Sequence, residues 1–216
     1  GCNPVKAGAD VIIYSMDKAT GAATSGLIIG KEECMVPIRR ALGMHGDRYG
    51  TTASYGKAAY VTFDAGKEAL LTQIQALKVL RDQPEILTAP VDALEKIVRE
   101  EFAKINLPKR LKDGLLISKS YNSTAVEVNY EATWANGEMG LPIFSIEDMY
   151  AGSNILQTGM AQMGVIPTVA YDGNIYISPG LGTCDSNGQI IDAAMRPAIR
   201  ALVNLIEITA KYAGLV

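Results

Sequence analysis

Hydrophobic and polar positions follow two different rhythms along this chain, one near two residues and one near 3.6. Val11-Ile12-Ile13 and Leu27-Ile28-Ile29 are short apolar runs bounded by small residues, so they predict two strands around a loop at 19–26. Gly30-Lys31-Glu32-Glu33 predicts a helix start, because carboxylates in a first turn face the positive end of the helix dipole. Residues 43–56 are rich in Gly, Thr, Ser and Tyr with little periodicity, and read as a loop or an irregular helix start. From about Asp64 the helical rhythm sets in. Leu70, Ile74 and Leu77 recur at i, i+4 and i+7 with Leu71 beside them, which predicts core packing for that stripe and a helix end near Pro84. Pro84 to Pro90 reads as a boundary, and a second amphipathic helix follows. Its apolar face holds Leu94, Ile97, Val98, Phe102 and Ile105, with Glu95, Lys96, Arg99 and Glu100 opposite.

After Asn106-Leu107-Pro108 the rhythm shortens. Segments 114–118 and 124–130 predict a hairpin around Asn122-Ser123. Ser145-Ile146-Glu147-Asp148 has the form of a capping box opening a helix to about Met163. Segments 165–170 and 174–178 flank Tyr171-Asp172-Gly173, where Asp-Gly signals a tight turn. The last element, roughly 189–212, is apolar on more than one side, with Pro197 kinking it or marking its true start. From about residue 90 the order is α-β-β-α-β-β-α, helices on one face of a largely antiparallel sheet. The expected class is α/β with an α+β C-terminal domain, divided into 1–84 and 85–216.

A chain of 216 residues, 48% hydrophobic, can bury the core of one large domain or two small ones. The net charge is −3, and the basic clusters (Arg39-Arg40, and Lys109-Arg110 with Lys112) are short and separate. That balance argues against a nucleic-acid partner, which needs a concentrated basic face. Cys2, Cys34 and Cys184 are odd in number and scattered, which favours a reduced compartment over a disulfide framework. His45 is the single histidine, so a histidine-rich metal site is excluded and a Ser-His-Asp triad would rest on His45 alone. No apolar run approaches the roughly 20 residues of a membrane span, and the first residues lack a leader pattern. The expectation is a cytoplasmic protein with no membrane partner.

The candidate chemistry lies where the first strand meets Ser15-Met16-Asp17-Lys18. A lysine at the end of a buried strand is costly to keep charged, and burial favours the neutral amine that attacks an aldehyde. The plainer reading of Lys18 is a strand-end lysine reaching solvent. Ser15, three residues earlier, could hydrogen-bond a phosphate at the same loop or bond the backbone. Asp17 could orient the lysine or face water. Residues 20–25 form a phosphate-cradling nest or simply a tight connection. Tyr49 and Tyr55 are candidate contacts to a neighbouring subunit's cofactor, or core or surface tyrosines.

These segments resemble the Schiff-base region of fold-type I pyridoxal-phosphate (PLP) enzymes. The likeness is to the branch related to bacterial selenocysteine synthase (L-seryl-tRNA selenium transferase) and its ammonia-lyase relatives. That branch shows Ser-Gly-Asp-Lys, a Gly-rich loop and Gly-Lys-Lys-Glu, against Ser15-Met16-Asp17-Lys18, the loop to Gly26 and Gly30-Lys31-Glu32-Glu33 here. Gly66-Lys67-Glu68 with Ala76-Leu77 is similar to the family's Gly-Lys-Glu helix. Ile177-Ser178-Pro179-Gly180-Leu181 is similar to the Arg-x-Ser-Pro strand end of the small domain. The resemblance covers nearly all of this chain but only the C-terminal half of a family member. It implies pyridoxal 5'-phosphate as cofactor, Lys18 as the catalytic Schiff-base lysine, and Ser15 and Asp17 as cofactor-binding residues. Residues 1–84 would be the end of the PLP-binding large domain and 85–216 the small domain. The implied activity is a lyase or transferase, eliminating or replacing a group on an amino acid or amino sugar acid. The implied partners are a small amino-acid-like substrate and either a second copy of the chain or a polypeptide supplying the N-terminal half.

Two departures stand out. Family members carry their phosphate loop and pyridine-pairing Asp ahead of the lysine, whereas seventeen residues precede Lys18 here and Asp10 is too close to match that Asp. Tyr176 stands where relatives carry Arg, so bidentate pairing with a substrate carboxylate is not available there. Arg39, Arg40, Arg48 and Lys57 are substitutes for it or plain surface residues. The alternative is a non-catalytic association or ligand-binding module that keeps the C-terminal part of the fold.

Overall fold

Two β-branched runs make the first local structure in the computed structural model. Strand β1 (Val11–Ser15) pairs antiparallel with β2 (Gly26–Gly30), Val11 opposite Gly30 and Ser15 opposite Gly26. The described residues are 4–41, 66–120, 123–143, 155–165, 169–171, 173–180 and 182–216. Outside them lie His45, Tyr49, Tyr55, Arg48, Lys57, Cys2, the loop at 43–56, the capping box at 145–148, and Asn122, Asp172 and Leu181 of the two turns and the strand end. The chain divides into two units, Gly1–Gln83 and Pro84–Val216. It is a mixed α/β protein of helices and small antiparallel sheets. Among the described residues no helix is long and apolar enough to cross a membrane.

In the first unit, helix α1 (Met16–Thr20) is a single turn inside the hairpin. Helix α2 (Glu32–Ala41) starts with two carboxylates, and α3 (Lys67–Asp82) follows later in the chain. The orientation of α3 corrects the expectation of core packing. Leu70, Leu71, Ile74 and Leu77 are 47, 67, 50 and 40% exposed, while Gln73 is buried. Ala69, Gln73, Ala76 and Leu80 form the inward face, and α3 packs on α1. That face is the leucine stripe displaced by one residue, about 100° around the axis. Two adjacent apolar faces cannot both rest on one small neighbour, and the face with two alanines is the one turned inward.

In the second unit, α4 (Glu85–Phe102) begins directly after Pro84 and contains Pro90. The expected boundary stretch is therefore helical, and the helix runs through Pro90 in its second turn, where the ring has no N–H to offer the residue four before it. Pro90, Val91, Leu94, Ile97 and Val98 lie on its buried side. Helix α5 (Lys109–Asp113) leads to a four-stranded antiparallel sheet of order β3-β4-β6-β5. The strands are β3 (Leu116–Lys119), β4 (Val126–Asn129), β5 (Val169–Tyr171) and β6 (Asn174–Ile177). Val126 faces Ile177 and Val128 faces Ile175, so the period of two places four apolar side chains on one buried face. Helices α6 (Ile155–Gln162) and α7 (Asp192–Tyr212) complete the core with Leu156, Met160, Ile199, Leu202 and Ile206. Pro197 sits inside α7, not at its start.

The β5–β6 turn uses Gly173 at φ +75°, where a Cβ would fall 2.0 Å from Glu131 Cγ. Its carbonyl accepts the Tyr130 N–H at 2.8 Å, which ties the turn to the end of β4.

Candidate functional site

Strand β1 delivers Ser15 to the N-cap position of α1, and the following residue anchors the turn. Met16 is 1% exposed, and its N–H donates to the Ser25 carbonyl at 2.9 Å, carrying the hairpin pairing one step further. Gly21, at φ +69°, closes the turn by donating its N–H to the Asp17 carbonyl. With Met16 inward, its neighbours are held at the surface.

The structure brings the three sequence-predicted residues together. The Ser15 hydroxyl donates to Asp17 Oδ1 at 2.5 Å, and Lys18 Nζ donates to Ser15 Oγ at 3.4 Å. An N-cap serine ordinarily accepts a backbone N–H from its own helix, but Ser15 makes no such bond. Its hydroxyl serves the Asp17–Lys18 pair instead. The Ser15 hydrogen bond is the main cause that holds the Asp17 carboxyl below its usual range; partial burial opposes it, and the nearby Lys18 charge adds a smaller lowering. Asp17 is therefore a settled carboxylate at neutral pH.

Lys18 departs from the expected setting. It lies on α1 rather than at a strand end, and it is exposed, as are Ile13, Tyr14 and Ser15 of β1. The burial expected for Lys18 is therefore absent.

The residues fit PLP in one respect only. Lys18 offers an accessible amine for a covalent link, but a phosphate needs donors, and three of the hydroxyls beside it donate within the chain. Ser15 donates to Asp17, Thr20 to the Met16 carbonyl at 2.7 Å, and Ser25 to the Ala23 carbonyl at 2.7 Å. Thr20 also accepts the Ala22 N–H at 3.2 Å. The Asp17 carboxylate at the edge of this loop repels an anion. In this arrangement the hydroxyl protons of Ser15, Thr20 and Ser25 are engaged within the chain.

Other candidates are held elsewhere. Asp10 forms an ion pair with Lys31, which raises the lysine's pKa chiefly through that hydrogen bond. Arg39 pairs with Glu32 at 2.9 Å. The Arg40 side chain lies outside the described part. Tyr176 is opposite Glu127, on the sheet face away from the core. Among the described residues no group of three or more His, Cys, Asp or Glu could hold a metal.

One charged cluster escaped the sequence reading. Glu101, 2% exposed on the apolar side of α4, accepts from Lys104 and Arg196 at 2.8 Å and from Arg200 at 2.9 Å. The available signal was a glutamate at i+4 from Ile97 and i+3 from Val98, in line with the buried face. Its donors account for both oxygens, so it locks α4 to α7 and offers no open position. A groove lies beside Asn106, Glu207, Ile208, Lys211 and Val216, and within it Glu207 accepts the Asn106 N–H at 2.6 Å.

Comparison with protein-family models, curated proteins and solved structures finds no match to this chain.

Proposed function

We propose that this chain is the lysine-bearing part of a cytoplasmic PLP-dependent lyase or transferase. Its substrate would be an amino acid or amino sugar acid that undergoes elimination or replacement. The observation that supports the reading is the Ser15–Asp17–Lys18 constellation: an exposed amine, tethered at 3.4 Å to a hydroxyl that is itself fixed at 2.5 Å to a carboxylate. The sequence likeness of the same residues to the Schiff-base segment of fold-type I enzymes supports it independently. In this reading Lys18 is the catalytic residue, and Ser15 and Asp17 hold it. The groups that grip the phosphate and pair with the pyridine nitrogen come from other residues, in a second copy of the chain or in a polypeptide supplying the N-terminal half.

Reductive trapping tests the reading. The full chain is incubated with PLP, reduced with borohydride, digested and mapped by mass spectrometry, with Lys18→Ala alongside. A phosphopyridoxyl group concentrated on Lys18, and lost in the variant, is the expected result. Labelling spread evenly over the exposed lysines would sink it.

A second reading is a non-catalytic association module. It is favoured by the outward stripe of Leu70, Leu71, Ile74 and Leu77 on α3. It expects a concentration-dependent mass in light scattering that falls to the monomer with Leu71→Glu and is indifferent to PLP.

A further inference from the structure

We infer that Ser15 is a positioning residue for Lys18 and not a ligand for phosphate. This rests on the proposed aldehyde-capturing role of Lys18 and assigns to Ser15 a part different from the one its place in the motif implies.

The argument is a count of protons. A serine hydroxyl has one donor and two acceptor sites. Ser15 gives its proton to Asp17 Oδ1 at 2.5 Å, a short charge-assisted bond, and receives the Lys18 ammonium at 3.4 Å. A phosphate dianion presents acceptors only, so it could bind Ser15 only by taking the proton from Asp17. It would then lie beside the carboxylate that had lost it, and like charges at that separation repel. The neighbouring hydroxyls of Thr20 and Ser25 donate to backbone carbonyls and so do not assist the exchange. What the arrangement does well is restrain a long flexible side chain. Lysine loses much rotamer freedom when held in one geometry, and a hydroxyl fixed by a carboxylate is a stiff anchor for it. The buried Met16 and the Gly21 cap keep the three residues on one turn.

The test compares two aldehydes that differ only in the phosphate. Capture of PLP and of pyridoxal by Lys18 is followed by imine absorbance and by the borohydride-trapped adduct, in the wild type, Ser15→Ala and Ser15→Thr. Ser15→Ala is expected to slow capture of both aldehydes by the same factor, about two- to tenfold for one lost hydrogen bond, and Ser15→Thr to restore it. A loss confined to PLP would overturn the inference, because it would show that Ser15 reads the phosphate. No change with either aldehyde would overturn it too.

A cofactor-free measurement separates this outcome from failure of the functional reading. Relaxation of the Lys18 Cε carbon, with no aldehyde present, is expected to show a restrained side chain that becomes mobile in Ser15→Ala. If Lys18 captures neither aldehyde but shows that change, the positioning stands and the PLP reading falls. If the relaxation is the same in both proteins, Ser15 does not position Lys18.

Discussion

Arg196 of α7 donates to Glu101 of α4 at 2.8 Å, joining residues 95 positions apart in the chain. The same guanidinium holds Glu100 at 2.9 Å and Asp192 at 2.8 Å, while Lys104 and Arg200 complete the shell around Glu101. A carboxylate buried this deeply is tolerable because its oxygens are saturated by cations, and removing one side of such a pair costs far more than the pair contributes.

The Glu101 cluster makes the second unit acid-sensitive. Hydrogen bonds from Lys104, Arg196 and Arg200, in that order, lower its carboxyl from 4.5 to about 2. A folded-state value below the unfolded one means that the unfolded chain binds the proton first. The stabilisation is complete above about 4.5 and is lost as the pH falls towards about 2. Trp134, the single tryptophan, lies in this unit and reports its unfolding by fluorescence. Glu101→Gln should be less stable at neutral pH and should flatten the stability curve across that window. An unchanged slope would assign the acid sensitivity to another group.

Leu94, fully buried on α4, and Leu71, 67% exposed on α3, should respond oppositely to truncation. Leu94→Ala should cost about 2–5 kcal/mol in urea unfolding, while Leu71→Ala should stay within about 0.5 kcal/mol. A comparable cost at Leu71 would mean that the leucine stripe is covered in solution.

Gln73 is 5% exposed, and its Nε2 has no hydrogen-bond partner among the described residues. Gln73→Met keeps the volume and removes the unsatisfied amide, so it should stabilise the first unit by about 1 kcal/mol. Amide hydrogen exchange along α3 would show slower opening; faster opening would mean that the amide is satisfied in solution.

Gly173 should not tolerate a side chain. Gly173→Ala at φ +75° carries about 1–2 kcal/mol of backbone strain, with a contact to Glu131 added. In thermal unfolding, Glu131→Ala should relieve the contact share in the double variant and leave the strain. Full relief would locate the whole cost in the clash.

The pattern of residues along the chain determined the local elements. Alternation marked β4 and β6, and continuous β-branched runs marked β1 and β2. The helical period marked α3 and α4, because these rhythms follow from backbone geometry alone. The motif around Lys18 was equally legible, since Ser15, Asp17 and Lys18 are close enough in sequence for one turn to bring them together. Tertiary structure decided which faces are covered and which distant charges are paired. The stripe of Leu70, Ile74 and Leu77 scores as core by period, yet α3 packs through Ala69, Gln73 and Ala76, because the partner surface and not the period selects the face. Glu101 appeared as one more charge on a helix until α7, arriving from 95 positions later, placed Arg196 and Arg200 against it. Burial and long-range ion pairing depend on residues distant in sequence, and local pattern holds no record of them.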